Sequence, residues 1–360
     1  MTGLYPIRGR GAAYNPPNRF DPIEFVPDGD QVDADIAADE LQSPRTQFLR
    51  DTTKTIIARN DSPDVGFGAS INPYRGCEHG CIYCFARPFH EYLGLSAGVD
   101  FETKILVKED APELLRAELM KKSYVPETIA ISGVTDCSQP VERKLRITRR
   151  CLEVLAEFRN PVGIITKNHL VTRDIDVLSE LAAHDAISVS LSITTLDNEL
   201  QRKMEPRTSI PKRRLEAVEK LASAGIPVGI MVAPIIPAIT DEEMGDILQA
   251  ARDVGALWAG FVVLRLPHAV APLFEDWLTH HFPDRKEKVL NRVRAMRGGK
   301  RYDSTWGVRG RGAGEMADQI GALFRAARKK AGYPDVDKWA LSTASFRRPF
   351  DRGGQLRLFE

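Results

Sequence analysis

The sequence predicts an α/β protein built on six consecutive strand–helix units, which close into a partial (β/α)6 barrel of TIM type or lie open as a doubly wound sheet. Three observations predict it. From residue 67 short β-branched runs alternate with longer amphipathic stretches; the alternation repeats six times; and it stops after Pro267. Such alternation implies parallel strands joined by right-handed crossovers. In either architecture ligands sit at the C-terminal ends of the strands.

The predicted strands are short. Residues 69–72 lead into a cysteine-rich loop, and TIAIS at 128–132, VGIIT at 162–166, ISVSLSI at 187–193, VGIMV at 228–232 and FVVL at 261–264 follow. Helical spacing of apolar residues marks 112–122, 141–158, 174–183, 212–223 and 241–252. Pro112 after Asp110, and Asp241 after Thr240, are good helix starts, and Gly225 stands where a C-terminal glycine belongs. Residues 104–108 (KILVK) read as an extra edge strand. Three regions result: an extended, partly disordered N-terminal arm over 1–66, the barrel over 67–268, and a basic, mostly helical extension over 269–360. Within the last, 269–295 and 315–331 read as helical around a Gly/Arg-rich loop at 298–314, whose Arg309 and Arg311 either close the barrel mouth over a substrate or belong to a flexible surface loop.

Composition bounds the function. The chain has 360 residues, 43% hydrophobic and 28% charged, with a formal net charge of +1, which advertises no polyanionic or membrane partner for the whole molecule. The charge is uneven: residues 1–66 hold seven Lys+Arg against eleven Asp+Glu, and residues 269–360 nineteen against eleven. The basic C-terminal third can face phosphates or simply be a solvated surface. No charged start followed by an apolar stretch reads as a signal peptide, and no apolar run approaches the roughly 20 residues that span a bilayer. Five cysteines, three of them within eight residues, are not a secreted disulfide framework. The expectation is a cytoplasmic protein with a metal site.

That site is the segment NPYRGCEHGCIYCFAR, with Cys77, Cys81 and Cys84 spaced by three and two residues. Thiolates suit iron–sulfur clusters or zinc. Clusters of the [4Fe-4S] type usually take four cysteines; three would leave one iron open to a ligand, through which an electron can pass directly. Gly76 and Gly80 let the backbone wrap so that amides approach the sulfurs, and Tyr83 is placed to pack against the adenine of a nucleotide-like cofactor. The alternatives are a structural zinc on the three cysteines with His79 or His90, or plain core packing.

The sequence resembles the radical S-adenosylmethionine (SAM) superfamily, whose C-x3-C-x2-C motif with an aromatic before the third cysteine stands here as CEHGCIYC after a predicted first strand. Within it, NPYRGCEHGCIYC, SGVTDCSQPVE, IITKN, SLSITT and MEPRTS are similar to the spore photoproduct lyase-like branch. The resemblance runs from about residue 67 over most of the chain and favours the partial barrel. It implies that Cys77, Cys81 and Cys84 bind a [4Fe-4S] cluster and that SAM chelates the open iron. It further implies an external electron donor of flavodoxin or ferredoxin type, whose electron splits SAM into methionine and a 5′-deoxyadenosyl radical that abstracts hydrogen from a substrate, with nucleic acid as one candidate.

The same resemblance implies roles at the strand ends. Ser132, Gly133, Thr135 and Asp136 end the second strand, where the methionyl amino group usually binds; the sequence has SGVTD where a Gly-Gly-Glu type motif is common, and Asp136 is the best acidic candidate. Thr166 and Lys167 end the third strand, Ser190 and Ser192 share one side of the fourth, and Glu205 and Arg207 follow it. Arg207 can pair the SAM carboxylate bidentately, and Val232, Pro234 and Ile236 line an adenine pocket. Cys137 is a candidate hydrogen donor to a product radical, against an inert buried role; Cys151 reads as packing. The competing class is a noncatalytic zinc or iron–sulfur module that docks nucleic acid.

Overall fold

A computed structural model describes residues 6–21, 44–334 and 340–349. The acidic stretch at 22–43 and the last eleven residues, part of the expected arm and extension, lie outside the described residues.

Ten strands form two sheets: β1 (Gln47–Arg50), β2 (Ala58–Arg59), β3 (Ala69–Ile71), β4 (Tyr74–Arg75), β5 (Lys104–Val107), β6 (Ile129–Ile131), β7 (Val162–Thr166), β8 (Ile187–Ser192), β9 (Val228–Ile235) and β10 (Ala259–Val263). The large sheet has the order β10-β9-β8-β7-β6-β3-β2. Every neighbouring pair from β3 to β10 is parallel, and β2 closes the edge antiparallel. The parallel strands lie in chain order with no reversal. The sheet is therefore wound in one sense and is an open, partial barrel, whereas a doubly wound sheet reverses its strand order.

The helices are α1 (Val99–Thr103), α2 (Ala111–Met120), α3 (Glu142–Leu145), α4 (Ile147–Phe158), α5 (Ile175–Ala182), α6 (Asn198–Met204), α7 (Pro211–Ser223), α8 (Met244–Asp253), α9 (Val270–His281), α10 (Lys286–Ala295) and α11 (Glu315–Lys330). Several elements depart from expectation: α1 and α6 form where the sequence predicts no helix, and the helical stretch over 269–295 is split into α9 and α10. The helix expected over 141–158 breaks at Arg146, which is left-handed (φ 53°). The Glu142 carboxylate accepts the amides of Thr148 and Arg149 at 3.0 and 3.3 Å, so it caps α4 from the preceding turn and holds the break. The expected edge strand at 104–108 is instead the centre of a separate sheet of order β1-β5-β4. Its partners, QFLR and YR, are too short to announce themselves.

Alternation fixes two faces. Ile71, Ile131, Ile164, Val189, Leu191, Ile230 and Val232 turn outward into the main core beneath the helices. Across the inner face the register runs Ser70–Ala130–Gly163–Ser188, then Ile165–Ser190–Gly229. Barrel interiors are normally filled by branched side chains. Here most inner residues are small, and Gly163, Ser188 and Ser190 are only half-buried, so the inner face is an open trough. Among the described residues no helix is long and apolar enough to cross a membrane.

The described part of the N-terminal arm wraps the body. The Gly11 and Ala12 amides donate to the Glu102 carboxylate at 3.0 and 2.9 Å. A Cβ on Gly11 would stand 1.8 Å from the Gly80 carbonyl oxygen, so arm and cysteine loop touch backbone to backbone. Gly11→Ala is expected to destabilise the fold by about 1–3 kcal/mol through this overlap; a urea midpoint equal to that of the unchanged chain counts against the contact.

Candidate cluster and cofactor site

The cysteine loop leaves β4 at the C-terminal end of the trough. Short turns fold it: the Gly80 amide donates to the Cys77 carbonyl (3.4 Å) and the Cys84 amide to the Cys81 carbonyl (3.2 Å). Arg87 clamps it from behind. Its guanidinium donates to the carbonyls of Cys81 (3.0 Å), Ala97 (3.1 Å) and Gly98 (3.0 Å) and to the Glu102 carboxylate. Both members of this ion pair are 0% exposed. On the other flank the Glu78 amide donates to Gln139 Oε1 at 2.9 Å, and Glu78 Oε2 accepts the Val141 amide at 2.7 Å.

All three loop cysteines are free, and Cys77 and Cys81 are buried. Burial pushes each thiol above its ordinary value, so the sulfurs become thiolates only with a metal to stabilise them. The Asp136 and Ala86 amides point at the sulfurs of Cys77 and Cys84, and Arg87, Lys167 and Arg265 lie close enough to favour a negative Cys84. Buried thiols with amide donors and nearby cations suit an anionic iron–sulfur cluster. The histidines do not suit zinc. His79 Nδ1 faces Asp136 (3.4 Å) and its Nε2 faces Asn168 (3.1 Å), while His90 Nε2 faces the Lys104 carbonyl (3.0 Å). Among the described residues no three His, Cys, Asp or Glu side chains close on a single ion. A cuboidal cluster is held at three separate iron corners, so its thiolates stand farther apart than the ligands of one ion.

Most of the strand-end residues expected to touch SAM hold the chain's own backbone instead. Asp136 Oδ1 accepts from the Thr166 hydroxyl (2.7 Å) and the Ser138 amide (2.8 Å), and Oδ2 from the Lys167 amide (2.8 Å) and His79 (3.4 Å). A carboxylate has about four acceptor sites. All are taken up by the protein itself, so Asp136 braces the ends of β6 and β7. Burial raises its pKa, but His79, Thr166 and the Lys167 amide outweigh it and hold the carboxyl below the usual range. Thr135 donates to the Tyr74 carbonyl (3.1 Å), and Ser132, at φ 82°, accepts the Cys137 amide (2.9 Å). Gly133 lies beside Ser70 and Asn72.

Glu205 is fully buried. It accepts from the Tyr83 hydroxyl, from Thr194 (2.7 Å) and from the Arg214 guanidinium, and it pairs with Lys167 Nζ at 3.4 Å. Lys167 also donates to the Ala233 carbonyl (2.9 Å) and lies over the Tyr83 ring. Burial lowers its pKa to about 8, against the pull of Cys81. Arg207 pairs with Glu78 (3.2 Å) and lines a cavity with Arg143 and Arg213. Val232 and Ile236 are core residues. Ser190 and Ser192 do share the inner face, and their hydroxyls make no hydrogen bond among the described residues.

Cys137 is 1% exposed within the main core, near Ser138 (3.7 Å), which agrees with the inert buried reading of the two weighed for it; Cys151 is core as expected. Sequence reasoning missed Arg87, Glu102, Glu78, Gln139, Thr194 and Arg214. Arg87 closes the cysteine motif and was legible as a cation beside thiolates; the others are met only through chain reversal.

The radical SAM superfamily model matches residues 71–251. This chain belongs to the radical SAM superfamily. Its members use a [4Fe-4S] cluster and SAM. The chain is 36% identical over 220 residues to an uncharacterized protein of Mycobacterium tuberculosis (strain ATCC 25618 / H37Rv), covering 61% of this chain and 65% of that one. It is 30% identical to an uncharacterized protein of Methanocaldococcus jannaschii, covering 62% and 80%, and 24% identical to the spore photoproduct lyase of Bacillus subtilis, covering 54% and 53%. A solved spore photoproduct lyase complexed with dinucleoside spore photoproduct shares the fold at TM-score 0.56 and 16% identity, over 79% and 78% of the two chains.

Two variants test the site. Arg87→Met leaves Glu102 buried without its cation; such a break costs about 3–5 kcal/mol, and iron retained after anaerobic reconstitution should fall well below that of the unchanged chain. Cys137→Ala should leave iron content and 5′-deoxyadenosine formation unchanged; a product-radical defect in that variant would restore the hydrogen-donor role.

Proposed function

We propose that this chain is a radical SAM enzyme of the lyase-like kind acting on a nucleic-acid substrate, with Cys77, Cys81 and Cys84 as the cluster ligands. The observation that carries the reading is the placement of a three-cysteine loop, clamped from behind by Arg87, at the C-terminal mouth of an open trough. Bound there, the reduced cluster and SAM supply a 5′-deoxyadenosyl radical able to take hydrogen from an unactivated C–H bond.

The chain's own groups bind, orient and exclude water. Arg87, Glu102 and the arm close the rear of the loop. Tyr83, pinned through Glu205 and Arg214, fixes the wall before Cys84. Lys167, Ser190, Ser192 and Gly133 are the groups we assign to SAM, since Lys167 lies over Tyr83 and the serine hydroxyls have no partner of their own. Asp136, Thr166, Ser132, Thr135 and Glu205 act as positioning residues. The five free cysteines suit a reducing cytoplasm, and a flavodoxin- or ferredoxin-type donor completes the electron path. The nucleic-acid assignment rests on the likeness to spore photoproduct lyase and on the cationic surface described below.

Purification without oxygen, reconstitution, and addition of SAM and reductant test the reading. About four irons per chain and 5′-deoxyadenosine are expected, with both lost in Cys81→Ala. Zinc without sulfide, or a cluster inert toward SAM, favours the noncatalytic binding module.

A further inference from the structure

A cavity of about 520 Å³ opens beside the cysteine loop, between the end of β7 and the start of α7. Arg143, Arg207 and Arg213 line it together with His169, Thr208 and Ser209, and no carboxylate does. Arg207 holds Glu78 and Arg213 holds Glu216 (2.5 Å), but the Arg143 guanidinium has no acceptor among the described residues. The positive charge is felt within the cavity: burial first, then Arg213, Lys220 and Arg143, hold His169 below its ordinary pKa. The adjoining α7 starts at Pro211 with Lys212 and Arg213 exposed in its first turn and Arg214 turned inward to Glu205; it carries no acidic residue there and has no capping side chain. Cations at that end of a helix are unfavourable unless an anion offsets them. Exposed Lys144, Arg146 and Lys212 extend the surface, none with an ion-pair partner among the described residues.

We infer that this cavity seats a backbone phosphate of the nucleic-acid substrate, holding the strand while another part of it reaches the trough. Planar guanidinium groups pair phosphate bidentately. The volume far exceeds one phosphate, and a row of cations beyond it matches a chain of phosphates better than a single anion. The cavity is also close to the reaction centre: the Ser209 amide donates to the carbonyl of Lys167 (3.3 Å), and the Arg207 amide to that of His79, inside the cysteine loop (3.3 Å). The inference rests on the nucleic-acid reading above.

The reconstituted holoprotein, titrated against a fluorescein-labelled single-stranded oligonucleotide at several salt concentrations, tests it by anisotropy. Arg143→Gln with Arg213→Gln should weaken binding about 10-fold or more and flatten the slope of log K against log salt by about 0.7, the value for one phosphate contact. Lys329→Gln with Lys330→Gln, on the exposed end of α11, removes equal charge elsewhere and should change affinity by less than about two-fold. If the two double variants weaken binding equally, or the arginine variant matches the unchanged protein, the seat is overturned while the nucleic-acid reading stands. If the unchanged holoprotein does not bind the oligonucleotide at all, that reading falls and the seat with it.

Discussion

The buried pair of Arg87 and Glu102 is the contact on which the site depends. Neither side chain reaches solvent, and removing charges from water is costly unless every donor and acceptor is used. Here most are used: Arg87 also donates to three carbonyls, one of them Cys81, and Glu102 accepts two amides of the N-terminal arm. Four separate stretches of chain are thereby locked to one another: the arm, the cysteine loop, the turn before α1, and α1 itself. Ile82 and Tyr83 anchor the loop in an apolar cluster with Val99 and Met204, and the ion pair adds a polar anchor to it.

A second buried network does the same on the opposite side. Glu205 gathers Tyr83, Thr194, Lys167 and Arg214, and so ties the last cysteine's neighbour to the ends of β7 and β8 and the start of α7. Between the two networks lies the inner face of the sheet, with glycine, alanine and serine where a closed barrel would carry valine and leucine. Space near the cysteines thus comes from short side chains, and precision comes from charged residues buried behind them. Stability is concentrated outside the sheet, under the helices.

Much of the architecture was legible because it is periodic. The six parallel strands stand within a few residues of where β-branched runs place them, and the helices from Ala111 to Asp253 follow their apolar stripes. What was hidden was aperiodic. The two-residue strands β2 and β4 have no pattern to read, and the break at Arg146 is set by a carboxylate bonding forward across the turn. At the site, the cysteine spacing announced itself, since few other chemistries want three thiols so close. The strand-end residues were harder. Sequence locates Asp136, Thr166 and Glu205 at the mouth of the barrel, but whether a polar group faces the cavity or props the backbone depends on partners that meet only on folding. Cys137 shows the point most sharply, being one residue from the mouth and yet turned into the core.

The missing side of the barrel has one more implication. A ring of strands that closes fully admits only what fits down its axis, and whatever enters must be released the same way. Here the sheet stops at β10 on one edge and at β2 on the other. The Gly/Arg-rich loop bridges that gap: the Gly310 carbonyl accepts the Val263 amide of β10, while the Gly307 amide and the Arg309 guanidinium hold Asp64 just beyond β2. The opening is therefore spanned by one loop and an ion pair, where a closed ring would have a ladder of strands.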